Sequence, residues 1–160
     1  MSKVSPVPHG HGTITPHLVI KGASEAIAFY VEALGATESM RMDGPGGGIM
    51  RAEIQIGTSR VFLADESPSY GSLSPLALGN SPVVLMMYVE DVDAAFAKAV
   101  EAGATVTMPL ADMFWGDRYG TFTDPFGHKW AMAQHVADYT PEEMAANGAK
   151  AMAKMNESQI

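Results

Sequence analysis

Thr15 and His17 stand two residues apart in the run Thr13 to Ile20, so a strand there turns both to one face. An imidazole titrates near neutrality, and on such a face His17 can hydrogen-bond a ligand oxygen or act as a base. The other reading is a half-buried histidine bonded across the sheet. Arg51 and Glu53 share a strand face further on, either as a solvated charge pair or as a polar clamp for an anionic or zwitterionic ligand. The densest group is Trp115, Asp117, Arg118 and Tyr119. Aromatic walls give contact area at low entropic cost, and an arginine grips a carboxylate or phosphate with paired hydrogen bonds. Alternatively Asp117 and Arg118 pin the entry of a strand and Trp115 closes an open end. His135, at the end of the last apolar run, completes the candidate set, while His128 beside a turn reads as exposed or turn-bonding.

Composition removes several chemistries. The chain has 160 residues, 47% of them hydrophobic, enough for one domain or two small modules sharing a core. Its formal charge of -8 argues against DNA or RNA as a partner, because such a field repels phosphates. There is no cysteine, which excludes disulfides, thiolate catalysis and thiolate metal sites and suits the cytoplasm. Met1 to Pro8 lacks the apolar core of a signal peptide, and no run approaches the roughly 20 apolar residues of a membrane span. Neither a nucleophile elbow, a phosphate loop nor a dinucleotide fingerprint occurs.

The elements that must position these residues come twice. Strand Thr13–Ile20 leads to a helix capped by Ser24, with an apolar stripe through Ile27, Tyr30 and Leu34, ending at Gly35. Strands at Thr37–Met42, Ile49–Ile56 and Arg60–Ala64 follow. After a Ser, Pro and Gly-rich stretch the pattern restarts: strand Val83–Val89, a helix capped by Asp91 or Asp93 and ending at Gly103, then strands Ala104–Leu110, Asp117–Thr123 and His128–His135. Both helix exits read Gly-Ala-Thr, at Gly35 and Gly103. The chain thus divides into a βαβββ module at 13–64, a linker or pocket-edge loop at 65–82, a second module at 83–135 and a helical tail at 136–160. Thr140, Pro141 and Glu143 form a capping box for the tail, which Gly148 weakens. The fold class is α+β: paired βαβββ modules forming a cupped mixed sheet around one pocket.

With Thr15-Pro16-His17-Leu18, Phe29-Tyr30, Phe114-Trp115-Gly116-Asp117-Arg118-Tyr119-Gly120 and Thr123-Asp124-Pro125-Phe126-Gly127-His128, the chain resembles the vicinal oxygen chelate superfamily. That superfamily holds glyoxalases, extradiol dioxygenases and bleomycin and fosfomycin resistance proteins, and the similarity is greatest to its PhnB-like branch. The resemblance implies the cupped fold, an aromatic or hydrophobic small-molecule ligand, and a homodimer. It also implies where metal-dependent relatives place their donors: at Thr15, near Val84, at Ala131, and between Phe62 and Ala64. None of these offers the nitrogen or carboxylate a divalent cation needs. No cofactor is therefore expected, and the leading expectation is a metal-independent binding protein of the bleomycin resistance type. A lyase, isomerase or dioxygenase with Zn, Ni, Mn or Fe rearranged onto His17, Glu53 and His135, with His128 or an N-terminal histidine, is the alternative, and a non-catalytic dimeric scaffold is a third. The ligand-contact candidates are His17, Thr15, Trp115, Arg118, Tyr119, Glu53 and His135.

Overall fold

Eight strands and four α-helices account for the computed structural model, which describes residues 4–157; Met1 to Lys3 of the amino-terminal stretch and residues 158–160 of the tail lie outside the described residues. In the first module β1 (His17–Ile20), α1 (Ala23–Leu34), β2 (Thr37–Asp43), β3 (Ile49–Ile56) and β4 (Ser59–Asp65) build a sheet ordered β1-β4-β3-β2. In the second, β5 (Val84–Tyr88), α3 (Val92–Glu101), β6 (Thr105–Asp112), β7 (Asp117–Thr123) and β8 (Lys129–His135) repeat it as β5-β8-β7-β6. Each first strand runs parallel to the last of its module and the other pairs are antiparallel, so the repeat read from the sequence is a repeat of topology. Between the modules, the linker folds a 3-10 turn at Pro68–Tyr70 and a one-turn helix α2 (Pro75–Leu78), capped by Ser74.

Alternation decides what each sheet face does. Leu18, Ile20, Ala52, Ile54, Val61 and Leu63 are buried against α1, and Phe122, Trp130 and Met132 are buried on the corresponding side of the second sheet. One core joins the modules. The Tyr30 hydroxyl donates to the Asp124 carboxylate at 2.7 Å, and Trp130 Nε1 donates to the same oxygen at 2.9 Å. The other Asp124 oxygen accepts the backbone N–H groups of Phe126 and His128. Tyr30 also packs on Trp130, and Phe29 meets Phe126 edge-on. His128 bonds the turn through its backbone as expected, but its side chain is buried rather than exposed, with Nε2 3.2 Å from the Val19 carbonyl of the other module.

Two other expectations change. The first strand begins at His17, because Pro16 has no N–H to enter a ladder; its carbonyl accepts the N–H of Phe62, and Thr15 lies in the segment leading in. Ser24 is not the cap of α1. The left-handed Gly22 occupies that position, and Asp65 at the end of β4 accepts the N–H groups of Gly22 and Ala23 through Oδ1. Asp65 Oδ2 accepts the N–H of Ile49 at 2.7 Å, so one carboxylate holds helix, strand and strand together. In the second module Asp91 caps Ala94, and Gln134 on β8 accepts the Val92 N–H. The tail helix α4 (Pro141–Glu157) has its capping box, with Thr140 and Glu143 bonded in both directions. At Gly148 it lies close to the body, for a Cβ there would stand 3.2 Å from the Phe114 ring.

Candidate functional site

The sheet faces turned away from the shared core carry the chemistry. On the second module these are Val84, Met86 and Tyr88 of β5, Ala131, Ala133 and His135 of β8, and Asp117, Tyr119 and Thr121 of β7. Ala133 stands between Tyr88 and Tyr119 in the register, and it is fully buried. The Tyr88 hydroxyl nevertheless reaches Asp117 Oδ2, two strands away, at 3.0 Å. Only a small residue on the intervening strand lets the phenol ring lie across the sheet in this way. The outer side of the ring is open, and Tyr88 is 62% exposed.

Asp117 fixes the arrangement. Trp115 Nε1 donates to Oδ2 at 3.0 Å, and His135 Nδ1 lies 2.8 Å from Oδ1. Trp115 meets Tyr119 edge-on at 5.6 Å and Phe114 at 5.0 Å. Burial pushes the Asp117 carboxyl up, but hydrogen bonds from His135, Tyr88 and Trp115 outweigh it and hold the group below its ordinary range. His135 is held above the ordinary histidine value by its hydrogen bonds to Asp138 and Asp117. Its two nitrogens face the carboxylates of Asp138 and Asp117, at 2.9 and 2.8 Å. Tyr88, Val89, Glu90, Gln134 and His135 border a hollow of about 620 Å³. The result is a rigid aromatic shelf with a buried charge behind it.

On the first module the corresponding face carries His17, Phe62, Glu53, Arg60 and Arg51. Glu53 is buried, which removes the solvated-pair reading, and its partners are Ser39, His11 and Arg60 rather than Arg51. Burial raises its carboxyl, and the hydrogen bonds from those three residues bring it below the usual value. Arg51 instead lies over the Phe62 ring, 4.3 Å from its centroid, and His17 approaches the same ring edge-on. Thr15 lines a groove of about 810 Å³ between the amino-terminal segment and β5.

Three candidates stay apart from these faces or from each other. Arg118 alternates to the helix side, where Asp93 of α3 takes Nε and Nη2 at 2.8 and 2.7 Å and Asp112 takes Nη1, so its guanidinium is committed within the fold. Glu53 and His135 belong to separate networks on separate modules. The family's metal positions fare no better: Val84, Ala131 and Phe62 bring carbon side chains, and the donor set does not fit a divalent cation. Among the described residues no three His, Asp or Glu side chains gather where they could hold one. Tyr88 is not among the sequence-based candidates, and His11 enters them only as an unspecified N-terminal histidine. Tyr88 shares the parity of Val84 and Met86, which could have placed it on the open face; the His9-Gly10-His11-Gly12 stretch carries no signal of where it docks.

Two βαβββ modules with helices on the shared side and open sheet faces on the other define the paired-module fold of small-molecule-binding proteins. Residues 12–132 match the Glyoxalase/Bleomycin resistance protein/Dioxygenase superfamily, and the chain belongs to it. An uncharacterised protein of Mycobacterium tuberculosis is 43% identical over 136 residues, which cover 83% of this chain and 80% of that protein. The X-ray structure of an Arabidopsis thaliana gene product superposes with a TM-score of 0.63 at 29% identity, over 76% of this chain and 98% of that one. A PhnB protein from Bacillus cereus shares the fold at a TM-score of 0.59 and 19% identity, over 77% of this chain and 99% of that one. No helix among the described residues is long and apolar enough to cross a membrane.

Proposed function

We propose that this chain is a cytoplasmic small-molecule-binding protein of the bleomycin resistance type, acting without a catalytic metal, and that its ligand is planar and aromatic or hydrophobic. The observation that carries this reading is the Tyr88 ring, laid across Ala133, tied to Asp117 and open on its outer side. A ring already fixed by its hydroxyl loses little freedom when a second ring stacks on it, so most of the contact energy goes into affinity. Trp115 and Tyr119 extend the wall. The net charge of -8 favours neutral or cationic ligands. Metal independence is supported by the family's donor positions, where Val84, Ala131 and Phe62 carry only carbon and Thr15 only a neutral hydroxyl. Exposed Val84 and Met86 on the edge strand β5 support a homodimer in which a second copy adds to the cup; sedimentation velocity checks it, and a monomer at all concentrations overturns it.

Ligand binding is tested with a panel of planar aromatic probes, neutral and cationic, read by thermal shift and by quenching of Trp fluorescence. Binding is expected to weaken about fivefold to tenfold in Tyr88→Ala, the worth of one stacked ring. The reading is overturned if no probe stabilises the protein, or if Tyr88→Ala leaves affinity unchanged. Elemental analysis of protein purified without added metal gives the second arm: stoichiometric Zn, Ni, Mn or Fe would favour a lyase, isomerase or dioxygenase instead.

A further inference from the structure

The first module's open face is already filled, and by the chain itself. His11 stacks on Phe62, with centroids 5.6 Å apart and the planes 23° from parallel, while its Nε2 lies 2.9 Å from Glu53 Oε2. Arg60 donates from Nε to the Gly10 carbonyl at 3.1 Å. Among the described residues no strand ladder ties this segment down, and this stack and these side-chain bonds fasten it to the sheet face. Gly10 has φ +79, and a Cβ there would stand 3.0 Å from the Arg60 guanidinium, so the approach requires glycine. The arrangement is that of a ligand, with a planar ring on an aromatic face and an edge N–H on a buried carboxylate.

We propose that the Phe62 face is a second binding site, for a planar aromatic heterocycle with a single edge N–H donor, and that His11 holds it as an intramolecular competitor. Glu53 Oε1 is engaged by Ser39 and Arg60, whereas Oε2 is matched to His11 alone among the described residues. A buried acceptor without a donor is costly, so whatever displaces His11 must bring an N–H to that oxygen. A hydrocarbon ring does not. The imidazole is also an imperfect occupant, because His11 Nδ1 is buried with no hydrogen-bond partner. A ring with carbon at that position keeps the stack and the N–H and leaves no polar atom stranded. The site therefore prefers an indole-like edge to an imidazole-like one. The segment is one wall of the 810 Å³ groove beside β5, so its release also widens that groove.

The probe is indole, with indene as the same shape lacking the N–H. Binding to the intact chain and to His11→Ala is followed by NMR, with the Gly10 and Gly12 amides reporting the segment. Indole is expected to bind His11→Ala about tenfold more tightly than the intact chain, since a self-occupied site lowers apparent affinity by its open fraction. Saturating indole should move the Gly10 and Gly12 signals of the intact chain to their positions in His11→Ala, and indene should bind several-fold more weakly. Equal indole affinity in the two chains overturns the proposal, as does failure of a folded His11→Ala to bind at millimolar indole. A Tyr88→Ala background separates this site from the one under the proposed function: indole binding that persists there supports the Phe62 face, and binding lost there assigns the signal to the Tyr88 shelf and overturns it. Failure of the Tyr88 shelf to bind any probe leaves this result independent.

Discussion

Asp117 and His135 set the pH behaviour of the Tyr88 shelf, and their shifts have opposite signs. Asp117 has its folded pKa lowered, so its stabilisation is complete above the unfolded value of about 3.9 and fades as pH falls through the folded pKa. His135 has its folded pKa raised by Asp138 and Asp117, so its contribution is complete below about 6.5 and is lost as pH rises through the folded value. Together they favour the folded state most between those limits. In His135→Gln the difference in urea midpoint between about pH 5.5 and about pH 8 should shrink relative to the parent; an unchanged difference would remove His135 as its source. Much of this was legible residue by residue. Trp115, Asp117 and Tyr119 were singled out because aromatic and charged side chains cluster in one short stretch. Arg118 belonged to the same stretch and went to the other face, because a strand alternates and Asp93 of α3 waits on that side. Spacing of two along a strand tells which residues share a face; it does not tell which face is the open one.

The elements were mostly legible, and their fastenings were not. Both modules, their order and the carboxy-terminal capping box follow from periodicity and local turn chemistry, which are properties of neighbouring residues. The cap of α1 is instead supplied by Asp65, distant in sequence from Gly22 and Ala23 and brought to them only when β4 pairs beside β1. Ser24, the locally obvious cap, lies in the first turn and accepts a bond from Arg41. Because Asp65 satisfies three backbone donors, Asp65→Ala should destabilise the protein by about 2 kcal/mol, roughly a helix cap plus one further stranded N–H. Asp65→Asn, which keeps one acceptor oxygen, should lose less. Urea unfolding of the two variants checks the order, and equal losses would show that the second carboxylate oxygen contributes nothing.

At the scale of the whole molecule, the two modules meet at a buried knot of Tyr30, Asp124 and Trp130. Both Asp124 oxygens are occupied there, and three of the four donors belong to the second module while the Tyr30 hydroxyl comes from the first. Tyr30→Phe keeps the ring packing on Trp130 and removes only that bond, leaving Asp124 its other three donors. The loss should be about 1–2 kcal/mol, with a single unfolding transition retained. Tyr30→Ala also opens a cavity where the modules join, and should cost about 3–5 kcal/mol. Burial, and then the Asp124 charge and hydrogen bond, raise the Tyr30 hydroxyl well above its ordinary value. A raised folded pKa means that its stabilisation is complete below the unfolded value of about 10 and is lost as pH climbs from there. Parent and Tyr30→Phe stabilities should therefore converge above about pH 10, as the parent loses what the variant never had. Denaturant curves in that range decide the matter: a gap that stays constant into alkali would mean that the phenol is not the proton donor joining the modules.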